Sequence, residues 1–131
     1  MGCVMAILNL TQHPASAEQV VAGVMDVPVS ARAELLALLT FDDLPSFNAV
    51  ANRATRLAEF AYRYADDSVI DVMIGGAPFL MAQLETALAH QGLSAVYAFS
   101  RRESSEEVQA DGSVRKTAVF RHCGFVNSFE D

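Results

Sequence analysis

Apolar and polar positions alternate in blocks along this chain, and the blocks predict strands and helices in turn. An apolar run at residues 4–10 is stopped by Thr11-Gln12-His13-Pro14, which reads as a buried strand entering a loop. Pro14 disfavours helix at His13, and Ser16 with Gln19 three residues later forms a capping box for a helix through Val20 and Val21 to Gly23. Residues 25–29 predict a short second strand. Residues 31–39 predict a helix capped by Ser30. After the turn at 41–45, Ser46 caps a longer helix over about 47–65, with Val50, Leu57, Phe60, Ala61 and Tyr64 along its apolar stripe.

Residues 69–74 are nearly all apolar, as expected of a central parallel strand covered on both faces. Gly75-Gly76-Ala77-Pro78 then opens a helix whose buried stripe is Leu80, Leu84 and Leu88 and which ends at Gly92. Residues 95–99 form the next apolar strand. Beyond Ser100 the pattern changes: residues 106–109, an Asp111-Gly112 turn signal and residues 114–121 predict an antiparallel hairpin, with 122–131 as a tail held by Phe125 and Phe129. The alternation predicts an α/β fold, a small Rossmann-like open and mostly parallel sheet flanked by helices, with a C-terminal antiparallel β-hairpin. Core 1–100 plus hairpin and tail 101–131 make one domain, the size expected of 131 residues.

Composition narrows the function. The net charge of −7 argues against duplex nucleic acid, which demands broad phosphate neutralisation. Five of the nine basic residues (Arg101, Arg102, Arg115, Lys116 and Arg121) nevertheless fall between 101 and 121, a pattern suited to a compact anionic ligand. No apolar run approaches a membrane span, and neither an acylation nor a secretory pattern is met at the start, so a cytoplasmic protein without membrane attachment is expected. Cys3 and Cys123 make no framework, and no spacing suggests a metal ligand set, so no metal and no cofactor is expected.

Open parallel sheets bind ligands outside the carboxyl ends of their strands, which singles out the loops at 11–14, 75–78 and 100–103. His13 offers a proton-transfer group active near neutral pH, with Thr11 and Gln12 beside it, although these three also suit a loop that merely satisfies its own backbone. Gly75, Gly76 and Ala77 precede a helix, where backbone N–H groups cradle phosphate, or else supply a tight turn. Ser100, Arg101 and Arg102 present planar cationic forks for phosphate oxygens; the alternative is a solvated Arg–Glu surface. Lys116 and Arg121 lean toward the same crevice from the hairpin, on opposite faces of their strand because side chains alternate.

The strings Leu8-Asn9-Leu10-Thr11-Gln12-His13-Pro14, Ile74-Gly75-Gly76-Ala77-Pro78-Phe79-Leu80, Tyr97-Ala98-Phe99-Ser100-Arg101-Arg102-Glu103-Ser104 and Phe120-Arg121-His122-Cys123-Gly124-Phe125 resemble a family of small uncharacterised bacterial and phage proteins over essentially the whole chain. Thr11, His13, Pro14, Glu18 and Gln19 also resemble the opening segment of CRISPR-associated ring nucleases, which degrade cyclic oligoadenylates. That likeness covers about the first twenty residues. It implies a Rossmann-like homodimer with the cyclic nucleotide across its two-fold axis.

The expected function is therefore a metal-independent phosphodiesterase of the ring-nuclease kind, acting on a cyclic oligoadenylate or related small cyclic nucleotide. His13 moves the proton, Arg101 or Arg102 stabilises the scissile phosphate, and Thr11, Gln12, Gly75, Gly76, Ala77, Ser100, Lys116 and Arg121 bind substrate. The alternatives are a non-catalytic nucleotide sensor and a protein-interaction module of a mobile element.

Overall fold

A computed structural model describes residues 6–128. The predicted strand start at 4–5, Cys3 and the anchoring Phe129 lie outside the described residues. Strand β1 (Ala6–Asn9) leads through the short helix α1 (Ala17–Val21) to β2 (Val24–Asp26). A 3-10 turn (Val29–Ala31) feeds α2 (Arg32–Leu39), followed by α3 (Phe47–Tyr64), β3 (Val69–Met73), α4 (Pro78–His90), β4 (Ser94–Val108) and β5 (Val114–Asn127). The strands form one sheet in the order β2-β1-β3-β4-β5, parallel throughout except for the antiparallel β4–β5 pair. This is the mostly parallel, helix-flanked sheet that the pattern predicts.

Side-chain alternation gives the sheet two unequal faces. Leu8, Val72 and Ala95 point into a large apolar layer under α2, α3 and α4, where Phe60, Leu57, Leu80, Leu84 and Leu88 are fully buried. Ile7, Val24, Met73 and Val96 point the other way into a small cluster closed by Ala15 and Phe125. At the start of β3, where the register with β1 shifts, Ile70 is 63% exposed, so the prediction that this strand is covered on both faces fails there.

The capping chemistry holds at α1, where Ser16 and Gln19 form the reciprocal capping box, and at α3, where the Ser46 side chain accepts from Ala49 N–H. Two local predictions are corrected. β2 stops at Asp26 rather than reaching Val29, because Pro28 lacks an N–H and leads into the 3-10 turn. Ser30 lies inside that turn, and the N-cap of α2 is Ala31, which makes no side-chain bond.

The larger correction concerns the C-terminal third. β4 does not end near Phe99, and 122–131 is not simply a tail. β4 runs unbroken to Val108 and β5 runs through His122 to Asn127, paired from Val96↔Asn127 to Val108↔Val114. One irregularity near Phe99/Ser100 leaves Cys123 as an extra residue beside Gly124, a β-bulge. Because β3 ends opposite Val96, the upper parts of β4 and β5 leave the sheet as a two-stranded ribbon. Its pattern escapes an apolar-periodicity reading because every residue from Ala98 to Val108 is exposed. Ladder hydrogen bonds and cross-strand pairs, such as Ser105 Oγ to Thr117 Oγ1 at 2.6 Å, hold it instead.

Candidate functional site

The strand order reverses direction between β1 and β3, which makes their carboxyl ends the switch point of this sheet. The loops that leave these two ends meet. A side chain added at Gly75 would stand 3.7 Å from Thr11 Cγ2, and Leu10 N–H donates to the Met73 carbonyl just below. The segment carrying His13 and the diglycine therefore share one rim.

The 11–15 segment is organised by a buried residue. Asn9, 1% exposed, donates through Nδ2 to the His13 carbonyl and to Asp26 Oδ1, both at 2.8 Å. Its Oδ1 accepts from Thr11 N–H at 2.9 Å and Thr11 Oγ1 at 2.7 Å. Two donors and two acceptor positions are thus all used, the full capacity of an amide. Asp26 Oδ1 also accepts from Ala15 N–H, and Arg32 Nη2 donates to the Gln12 carbonyl at 2.8 Å. Sequence reading missed all three of these residues. The available signal was the lone amide of Asn9 at the end of an otherwise apolar strand.

On this frame the Gln12 and His13 side chains are exposed, with Gln12 Nε2 3.5 Å from His13 Nε2. Thr11 spends its hydroxyl on Asn9, so it acts as a strut rather than a free ligand group. Across the rim, Ile74 N–H is tied to the Val96 carbonyl and Leu80 N–H to Ala77. The N–H groups of Gly75, Gly76 and Ala77 meet no acceptor among the described residues. Gly76 has φ +135°, a conformation that L side chains rarely adopt. Ala77 is the N-cap of α4 with no side-chain bond, and Pro78 occupies its first turn. Three consecutive amides without an acceptor among the described residues therefore lead into the positive end of α4, with Gly75 beside Thr11.

The third predicted segment is not a loop. Ser100, Arg101 and Arg102 are strand residues, the nearest of them four positions beyond Val96, or roughly 14 Å along the ribbon. Arg101 lies directly across from Arg121, and Glu103 Oε2 is 3.6 Å from Arg121 Nε, so this pair belongs to a solvated Arg–Glu surface. Ser100, Arg102 and Lys116 project from the opposite ribbon face, the one continuous with Val96 and Phe125. Lys116 is opposite Glu106, ten positions past Val96, too far to reach its own rim. The His122 ring meets Phe125 at a tilt of 60°, with ring centroids 4.8 Å apart. Arg32 reaches the rim through its bond to the Gln12 carbonyl.

Among the described residues, no three His, Cys, Asp or Glu side chains group as a metal ligand set. No helix among them is long and apolar enough to cross a membrane. No curated protein and no solved structure matches the chain. A model described as the Uncharacterized protein MJ1673 family matches residues 5–126, nearly the full length, and the chain belongs to that family.

Proposed function

We propose that this chain is a metal-independent phosphodiesterase that cleaves a cyclic oligoadenylate or a related small cyclic nucleotide, acting as a homodimer. The observation that carries the reading is the row of unpartnered amides at Gly75, Gly76 and Ala77, in contact with the segment that presents His13. These amides and the start of α4 hold a phosphate. The free edge of the Arg32 guanidinium takes the charge-stabilising role expected of Arg101 or Arg102. Gln12 orients the ribose or the imidazole.

In the reaction, the ribose 2′-oxygen attacks the adjacent phosphorus and the bond to the 5′-oxygen breaks. His13 accepts the 2′-hydroxyl proton, and the leaving oxygen takes a proton from water. Products are a 2′,3′-cyclic phosphate and a free 5′-hydroxyl, so alignment supplies much of the rate.

A second reading, nucleotide binding without turnover, is favoured by the His13 ring itself: its one hydrogen-bond contact among the described residues is Gln12, and no carboxylate orients it. Incubation with a panel of cyclic oligoadenylates and cyclic dinucleotides, with and without EDTA, separates the two. Cleavage that survives EDTA and disappears in His13→Ala, with binding retained, supports the enzyme. Tight binding without product supports the sensor, and no binding to any member overturns both.

A further inference from the structure

The ribbon carries an unused edge. β3 ends opposite Val96, so residues 98–108 of β4 are paired on one side, to β5, and on the other pair with no strand among the described residues. An exposed edge of this length is a template for another strand, and natural proteins normally guard such edges with charge. Here the charges form a pattern. Along β4 the residues run Arg101, Arg102, Glu103, Ser104, Ser105, Glu106, Glu107, with two cations on one side of Ser104 and two carboxylates at the mirrored positions.

From this antisymmetry we infer that the free edge of β4 pairs antiparallel with the same edge of a second copy, with Ser104 on the two-fold axis. That register sets Arg101 opposite Glu107 of the second copy and Arg102 opposite its Glu106, and symmetry repeats both pairs. Opposed residues in an antiparallel pair share a sheet face, and both pairings obey that rule. The pairing also answers a conflict within the chain. Arg101 faces Arg121 across the ribbon, and a second-copy carboxylate beside Arg101 offsets that like-charge contact.

The other edge cannot do the same. β5 holds Arg115, Lys116 and Arg121 and no carboxylate, so pairing with itself brings only cations together. β4 against β5 of another copy is a head-to-tail contact that does not close by a two-fold. A two-stranded ribbon is also marginally stable alone, whereas β5-β4-β4-β5 is a four-stranded sheet. Ser104 stands eight positions past Val96, so the two rims lie roughly 50 Å apart at opposite ends of that sheet, and each serves its own ligand. The interface stands whether or not the rim binds a nucleotide.

The test uses the full chain. Sedimentation velocity should show a dimer for the native protein. Arg101→Glu/Arg102→Glu and Glu106→Arg/Glu107→Arg should each weaken self-association on the order of a hundredfold, because like charges then meet at every mirrored position. Mixing the two variants in equal amounts should restore a heterodimer. Opposed strand residues have Cα atoms about 4.5–5.5 Å apart, within disulfide reach. Ser104→Cys in a Cys3→Ser/Cys123→Ser background should therefore cross-link with copper phenanthroline, while Val119→Cys on β5 should not. The cross-link decides the matter if a charge variant fails to fold. A native chain that remains monomeric at its solubility limit overturns the proposal, as does a dimer that is indifferent to both charge variants and whose Ser104→Cys form does not cross-link.

Discussion

The two ends of β4 teach different lessons about what holds a strand in place. At its start, Ala95 and Val96 are 0% and 3% exposed, wedged between the two apolar layers. A few residues later every side chain is exposed, although pairing with β5 continues past the single bulge at Phe99/Ser100 to Val108. The first part is fixed by burial and the second by pairing alone. Tyr97 marks the border: its hydroxyl bonds the Glu85 carboxylate on α4, and burial followed by that carboxylate raises the phenol above its ordinary pKa.

The sharpest way to break this comparison is to empty the buried side. Phe60 and Leu84 are both 0% exposed, and truncating such residues leaves cavities that the helices cannot close. Phe60→Ala is expected to cost about 3–5 kcal/mol and Leu84→Ala about 2–5 kcal/mol, read from urea unfolding. A cost under about 1 kcal/mol would mean that the helix layer repacks and that burial is not what anchors β4.

Asn9 comes next, because it joins the buried sheet to the rim. Asn9→Ala removes the partner of the Thr11 N–H, the His13 carbonyl and Asp26 together; Thr11 is half-buried while His13 and Asp26 are exposed and have water as a substitute, so a loss of about 1–3 kcal/mol is expected. Asn9→Asp keeps the shape but places a carboxylate 2.8 Å from Asp26 Oδ1. Repulsion raises the folded-state pKa of that pair above its unfolded value, so the variant should be weakest at neutral pH and recover as pH falls toward 4. Equal destabilisation at both pH values would show that lost donation, not charge, governs the site.

These two regions also explain what the sequence disclosed. Sheet class, helix positions and the meeting of the 11–14 and 75–78 loops were legible because apolar runs and capping residues such as Ser16 and Ser46 act locally and carry strong periodicity. The C-terminal hairpin was legible from its Asp111-Gly112 turn, but its length was not, because Ser100–Glu107 has no apolar alternation and its strand state depends on a partner strand beyond that turn. Reading it as a loop brought Arg101 and Arg102 to the rim. Arg32 escaped for the converse reason: it is remote in sequence from the loop whose Gln12 carbonyl it binds, and no local pattern announces a bond across twenty residues.

At the rim itself the effect should be smaller and confined to ligand. Arg32→Ala removes one charged donor and is expected to weaken nucleotide binding roughly tenfold, about 1.4 kcal/mol, by calorimetric titration. Lys116→Ala, from the far end of the ribbon, should leave affinity unchanged in the isolated chain. A reversed ranking would return the ligand to the ribbon and remove the switch point from consideration.

The smallest effects belong to the ribbon. Val119, 41% exposed and opposite Glu103, has little buried area to lose, so Val119→Ala should fall within about 0.5 kcal/mol. Thr117→Ala removes the Ser105 hydroxyl contact, whose two partners both have water as a substitute, and belongs to the same range. Hydrogen exchange converts the contrast into a gradient along one strand. Amides of residues 94–96 should exchange near the global unfolding rate, and those of 99–108 much faster at low protein concentration. Raising the concentration should slow the second set and leave the first alone if a second copy covers the β4 edge. Uniform protection from Ser94 to Val108 at every concentration would mean that pairing fixes a strand as firmly as burial does.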